Sequence, residues 1–520
     1  MAVVVGLVSL AYPLGRDQGL YFYVAREWVQ RGSIPYRDVL DHKTPGIYVL
    51  YALGVKLFGA QQWGIRLFDL IGIALIAMVV AELTAARGER VRSGVRGGAH
   101  LALSILYYGY LDFWNTAQSE LWYGGFAVAG VAAAYRIKNE TRAATLAGLA
   151  IGTALIMKPP SMTIAVVAVV LVMRRGWLAS TGQPWTPRAI AVGRRLFFFG
   201  IGAATVPLLV LLYFGAHGAV SAMIDIVVGA NGYYVKHERS VTTTAEIANT
   251  IGRYFWGYSP LFPVLLAYLV VALGWSWRTR KTSTAFERHL LAFALVLTAF
   301  GSVAMQGKYY LLHWTVILPS AALIAANALR AAIESFASRP WLPKVAFAPV
   351  VIVLWLGAMM SNEGPNMWRL GYMHVYRYGT HTEPRDAFLD HFQAPGTEFW
   401  YLESDQVGAW LRTHTKEGDT VVVRGFQPEI YAIAERHHAG RFFWTTFITN
   451  PARAYRRDEW LKEDRDAIIA HPPRYAVALR DIQDGPDSPG FFERLGYRRV
   501  VTIGHFTIME PVNLASATND

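Results

Sequence analysis

Not one cysteine occurs in the 520 residues, which excludes disulfides, thiolate metal sites and cysteine nucleophiles together. Any domain of this chain outside the cytoplasm therefore folds without covalent staples. Charge is scarce as well: Asp, Glu, Lys and Arg make up 17% of the residues against 53% hydrophobic ones. With a mean hydropathy of +0.26, that balance excludes an ordinary soluble enzyme. The polar C-terminal part lacks GxGxxG and GxxxxGK[ST], leaving nucleotide binding there without support. HExxH, GxSxG and any ligand-spaced His/Cys cluster are missing too, so no metal-ligating residues are assigned. Internal repeats and low-complexity tracts are absent.

What the chain does have is a series of apolar segments of membrane length. After a short one at 1–14 they fall at 64–85, 99–111, 121–135, 143–157, 160–173, 196–216, 256–276, 289–305, 313–334 and 345–361. Counted together they predict about eleven crossings of a bilayer. The first is short for a span and lacks a signal peptide's basic flank and cleavage pattern, so a start upstream of Met1 is expected. The net charge of +12 does not point to nucleic acid, because the cations sit in short loops between apolar segments, as membrane topology demands. With the N-terminus inside and 46–58 read as a surface helix, the basic loops 87–96, 136–142, 174–195, 278–288 and 339–344 all fall on the cytoplasmic side. Asp17, Lys43, Glu120, Lys158, Lys236, His237, Lys308 and His313 then all fall outside. Ionisable groups beside membrane helices are costly and often functional.

Two further features shape this outer side. In 14–58, Leu20, Val24 and Trp28 recur at helical spacing, and Thr44–Pro45 reads as an N-cap followed by proline at the first helical position. The segment from Gly46 to Phe58 is too short to cross, so two surface helices are expected, carrying Asp17 and Lys43. A further amphipathic helix is expected over 244–256. From 362 the composition turns polar, and a small extracytoplasmic α/β domain is expected over 362–520, after a membrane domain over 1–361. Its helices are placed at 407–414, 428–436 and 459–469, and its strands at 420–424, 475–479 and within 499–509.

Spacing alone leaves the polar residues open between structural and chemical roles. Asp17 reads equally as the N-cap of a helix starting near Gln18 and as a carboxylate that deprotonates or orients an acceptor. Lys43 stands at a helix N-terminus, where the dipole disfavours a cation, so an anionic partner is expected: Asp41, a lipid headgroup or a substrate phosphate. For Glu120 the simplest reading is dipole complementation beside a capping Ser119. Lys158 in Met157-Lys-Pro-Pro reads as a snorkelling loop lysine, and Lys308 and His313 as members of an aromatic belt.

The stretch RDQGLYFYVAREWVQRGSIPYRDVLDHKTPGIYVLYALGVKLFG, followed by WGIRLFDL, resembles the opening outer loop of C-type lipid-linked-sugar glycosyltransferases. Within that class the chain is similar to the bacterial aminoarabinose transferase and protein O-mannosyltransferase families. NTAQSEL, MKPP, GKYYLLHWTVILPSAALIAA and the C-terminal AWLRTHTKEGDTVVVRGFQPEIYAIAERHHAGRF extend the resemblance over most of the chain.

The resemblance implies a polytopic α-helical fold with a soluble C-terminal domain, in the inner cell membrane, acting on the extracytoplasmic face. It implies a polyprenyl-phosphate sugar donor, membrane lipids as partners, inverting transfer to a lipid, glycan or protein acceptor, and no nucleic acid. Asp17 matches the family's catalytic or acceptor-orienting aspartate, and Glu120 the second acid. Lys43 matches the lysine that contacts the donor phosphate, here in Lys-Thr-Pro. Lys158, Lys308 and His313 fall where further phosphate contacts are expected. As cofactor the family leaves a divalent metal open. This chain has Asp17–Gln18 where many relatives carry Asp-Glu, and one carboxylate fewer gives a metal there no support. Two alternatives are an oligosaccharide ligase or polymerase and a lipid or sugar transporter. A transporter predicts ionisable groups near span centres or interrupted helices in matching halves, and the sequence shows neither.

Overall fold

A computed structural model describes residues 2–86, 88–238, 241, 243–255, 261–279, 283–335, 356, 359–360 and 369–512. They form two compact units, each assembled from separate pieces of chain. The first comprises Met1–Tyr12, Ile65–Leu211 and Ser240–Met373; the second comprises Pro13–Gly64, Leu212–Arg239 and His374–Asp520.

The first unit is helical. Six described helices are long and apolar enough to cross a membrane: Gln62–Leu83, Pro159–Ala179, Trp185–Ala216, Leu261–Arg278, Thr284–Gln306 and Leu311–Glu334. Four other expected crossings fall on helices that are shorter or less apolar, Ala2–Leu7 with its 3-10 extension Val8–Ala11, Ser93–Tyr108, Ser119–Arg136 and Glu140–Met157. The expected crossing at 345–361, the boundary at 361–362 and the loop cations Arg339 and Lys344 lie outside the described residues. Large apolar side chains such as Leu208, Leu212, Val271 and Leu297 stand exposed, as lipid-facing positions do where hydrocarbon replaces water as solvent. Glu140–Met157 and Trp185–Ala216 approach backbone to backbone. A Cβ added at Gly148, Gly152 or Gly202 would run into a carbonyl of the facing helix, the role small residues play between membrane helices.

The second unit is α/β. Five strands, β1 (Thr420–Val423), β2 (His437–His438), β3 (Tyr475–Leu479), β4 (Tyr497–Ile503) and β5 (Phe506–Pro511), lie in the order β2-β1-β3-β5-β4. β1 runs parallel to both neighbours, whereas β5 is antiparallel to β3 and β4. Parallel pairs need crossover connections, supplied by helices Glu429–Ala434 and Arg457–Ala470. β3, Tyr-Ala-Val-Ala-Leu, is central and buried on both faces. At the far edge, β4 exposes Arg498 and Arg499, charges that discourage strand addition.

The opposite edge is covered by a helix from the first loop, Arg16–Arg31. The backbone N–H of His438 in β2 donates to the Tyr23 hydroxyl at 2.8 Å, and the Tyr23 ring stacks on Phe443. Arg26 donates to the carbonyls of Tyr431 and Arg436 at 2.8 and 2.6 Å. Gln18 to Glu27 are buried without a break, and the second loop helix, Pro45–Phe58, packs beside them through Tyr21 against Tyr48 and Tyr51. Thr243–Glu246 form a reciprocal capping box that starts the helix Thr244–Arg253.

These two units make the chain a polytopic α-helical membrane protein that carries a small C-terminal α/β domain.

Candidate active site: two polar clusters

Asp17 does not cap its helix. The cap is Gly15, with extended backbone, and Gln18 reaches back to the Gly15 N–H. Asp17 is the helix's second residue, where the positive end of the dipole favours an anion but its carboxylate is free to point elsewhere. It faces Lys43, with Nζ 3.9 Å from Oδ1. That separation exceeds hydrogen-bonding distance, and the two side chains keep 18% and 24% of their surface exposed. A third group can therefore reach both.

Lys43 is set by its neighbours. Thr44 occupies the N-cap position and Pro45 the first turn, as expected, although the Thr44 side chain makes no capping hydrogen bond. The Lys43 carbonyl accepts from the Tyr36 hydroxyl at 2.8 Å, and the His42 carbonyl from Asn231 at 2.7 Å. The His42 ring stacks on Phe447. Asp41 is buried and accepts from the Tyr48 hydroxyl and the His42 N–H, both at 2.7 Å. Burial pushes the Asp41 carboxyl up, but His42, the Lys43 charge and Tyr48 outweigh it and hold it below the usual carboxylate range. Burial pushes the His42 imidazole down. Asp41 is thus a fixed anion that orients the turn. Of this group, spacing indicated only Lys43 and Asp41; the sole cue to the clamp is the polar run Asp41-His42-Lys43 against a helix carrying Tyr48.

The first unit holds a second cluster. Glu120 is the second residue of Ser119–Arg136, whose cap is Gln118 rather than Ser119. The Ser119 hydroxyl instead donates to Glu120 Oε2 at 2.9 Å. Lys158 is no snorkelling loop lysine. Its ammonium pairs with the fully buried Glu120 and donates to Gln306 Oε1 at 2.7 Å. His313 Nε2 lies 3.9 Å from Glu120 Oε1. Gln306 is in turn oriented on the Tyr123 hydroxyl, which bonds Ser302 at 2.8 Å. Lys308 is mostly buried in the turn just after Gln306, between left-handed Gly307 and Tyr309. Gln306, Tyr123 and Ser302 were not legible as site residues, because nothing in sequence distinguishes them from ordinary helix positions.

In the second unit a cavity of about 300 Å³ opens beyond the carboxyl ends of β1 and β3. The strand order turns there: the chain leaves β1 toward β2, then returns past β1 to β3. Crevices at such switch points are the usual ligand sites of open α/β sheets. Phe426 and Gln427 follow β1, Asp481 and Ile482 follow β3, and His505 and Arg16 are among the other lining residues. Arg16 directly precedes Asp17, and its guanidinium lies over the Phe426 ring.

No family model and no curated protein matches the chain. Solved structures do. ArnT from Cupriavidus metallidurans bound to undecaprenyl phosphate superposes with a TM-score of 0.56 at 14% identity, over 98% of this chain and 96% of that one. The apo form gives the same TM-score at 16% identity, over 100% and 97%. The chain has the ArnT fold. At such identity the shared property is architecture, and the ArnT fold is the scaffold on which this chain's two clusters are placed.

Proposed function

We propose that the protein is a membrane glycosyltransferase that moves a sugar from a polyprenyl-phosphate donor to an acceptor hydroxyl or amine on the extracytoplasmic face. The observation that carries the reading is the Asp17–Lys43 pair, a carboxylate and an ammonium held side by side and left unlocked. A fold solved elsewhere with undecaprenyl phosphate supports it.

In this reading the acceptor approaches the exposed side of the Asp17–Lys43 pair. Asp17 takes the acceptor proton as the acceptor atom bonds to the anomeric carbon. The bond from that carbon to the phosphate oxygen breaks on the opposite face, inverting the centre, and polyprenyl phosphate leaves with the electron pair. Lys43 stabilises the departing charge, the larger contribution where the leaving group is already good. The family resemblance makes Lys158, Lys308 and His313 candidates for further phosphate contacts, and within the first unit Glu120, the second acid, holds Lys158 in place.

The deciding experiment offers the purified protein in lipid a panel of polyprenyl-phosphate sugars and follows release of polyprenyl phosphate by mass spectrometry. One donor should turn over. Asp17→Asn and Lys43→Ala should each reduce that rate by about 10²-fold or more in folded protein. Turnover that survives Asp17→Asn would overturn the assignment, and turnover only of diphosphate-linked glycans would make the protein a ligase.

A further inference from the structure

The start of the C-terminal segment carries a side-chain cluster that the proposed transfer does not use. Helix Val375–Gly379 ends in a tight turn: the N–H groups of Thr382 and Glu383 both donate to the Arg377 carbonyl, at 2.9 and 3.2 Å. His381 in this turn is left-handed, with φ 58°. The chain then reverses into helix Arg385–Asp390, and the Tyr378 and Phe388 rings stack at 4.5 Å to lock the two helices together.

That reversal gathers three residues that sequence spacing alone did not suggest as ligands. Glu383 lies 2.8 Å from His374 Nδ1 and 2.7 Å from His391 Nε2, and the three ligand atoms lie within 4.8 Å of one another. The geometry points to a divalent-metal site formed by His374, Glu383 and His391, with zinc the ion that its chemistry favours.

Two imidazoles and one carboxylate are a zinc ligand set, with water in the fourth position, and imidazole disfavours magnesium and calcium. Zinc–ligand bonds of about 2.0–2.1 Å place tetrahedral ligands roughly 3.3 Å apart. Admitting the ion therefore withdraws the carboxylate about half an ångström from each ring and brings the two ligating nitrogens, which lie within 4.8 Å of each other, to the same spacing. Binding exchanges the two hydrogen bonds to Glu383 for metal bonds: His374 Nδ1 and His391 Nε2 each ligate without a proton, and each neutral imidazole carries its proton on the other ring nitrogen. His374 and Glu383 are sheltered at 13% and 11% exposure while His391, at 36%, leaves an entry path. Bound metal would close the 374–391 loop as a disulfide would, in a chain that has no thiol with which to do so.

The test uses the full chain without a polyhistidine tag, stripped with chelator and dialysed against zinc chloride or magnesium chloride. One equivalent of zinc per chain should be retained and should raise the melting temperature, with no magnesium retained. Cobalt in place of zinc should show the visible absorption of a tetrahedral site. His391→Ala, at an exposed position, and the isosteric Glu383→Gln should each weaken zinc binding at least about tenfold and abolish the melting shift. Failure to retain zinc, or retention unchanged in both variants, would overturn the site and leave the three residues as a hydrogen-bonded triad. Donor turnover by the Glu383→Gln variant separates this result from the transferase reading.

Discussion

At the scale of single residues, the second unit places titratable groups where burial decides their behaviour. Glu429 is fully buried, and one of its oxygens accepts from Ser404 at 2.8 Å. Burial outweighs its own backbone N–H, Ser404 and the Arg16 charge, raising its pKa from 4.5 to about 7. Between these values the folded protein keeps a proton that the unfolded chain releases, so stability falls as pH rises through this window. The full penalty, roughly 3 kcal/mol at ~1.4 kcal/mol per pKa unit, applies above pH 7. Glu429→Gln should therefore melt higher than the parent at pH 8 and converge with it below about pH 4.5, as scanning fluorimetry at several pH values would show. Tyr48→Phe leaves the buried Asp41 short of one donor, which should cost about 1–3 kcal/mol. Because Asp41 orients the Lys43 turn, that variant should also lower kcat, whereas a purely structural loss would lower the melting temperature alone.

The elements themselves were largely legible, and their partnerships were not. β3 falls on the expected residues 475–479, and the expected stretch 499–509 resolves into the pair β4 and β5. The second first-loop helix starts where Thr44–Pro45 place it, because capping chemistry is written in adjacent residues, whereas the first starts at Arg16 on a Gly15 cap, two residues before the expected Gln18. Lys158 shows the limit. Its neighbours Met157, Pro159 and Pro160 explain the turn, but its partners Glu120 and Gln306 are 38 and 148 residues away. A short helix such as Pro489–Arg494, with its Ser488 cap, and the two-residue β2 leave too brief a pattern to detect. The Glu120–Lys158 pair tests this reading between helices. Removing one partner of a buried pair leaves an uncompensated charge worth about 3–5 kcal/mol. Lys158→Met should destabilise strongly, and adding Glu120→Gln should recover most of the loss in thermal melts, whereas additive losses would refute the coupling.

On the scale of the whole molecule, the second unit takes its three pieces from the beginning, middle and end of the chain. Synthesis proceeds in one direction at ~5–20 residues per second. Arg26 bonds the Tyr431 carbonyl across 405 residues, and Tyr23 meets His438 across 415. The helix that bears Asp17 therefore leaves the ribosome roughly 20–80 s before the strand it covers exists. Until then, Tyr23 and Arg26 have none of these partners, and Asp17 and Lys43 lack the scaffold that fixes their helices. Chains ending before residue 437 should insert their membrane helices yet remain inactive and protease-sensitive over 13–64, which pulse labelling with limited proteolysis would detect. Completion of the polypeptide then acts as a clock: the carboxylate made first becomes competent only once the last strands have emerged.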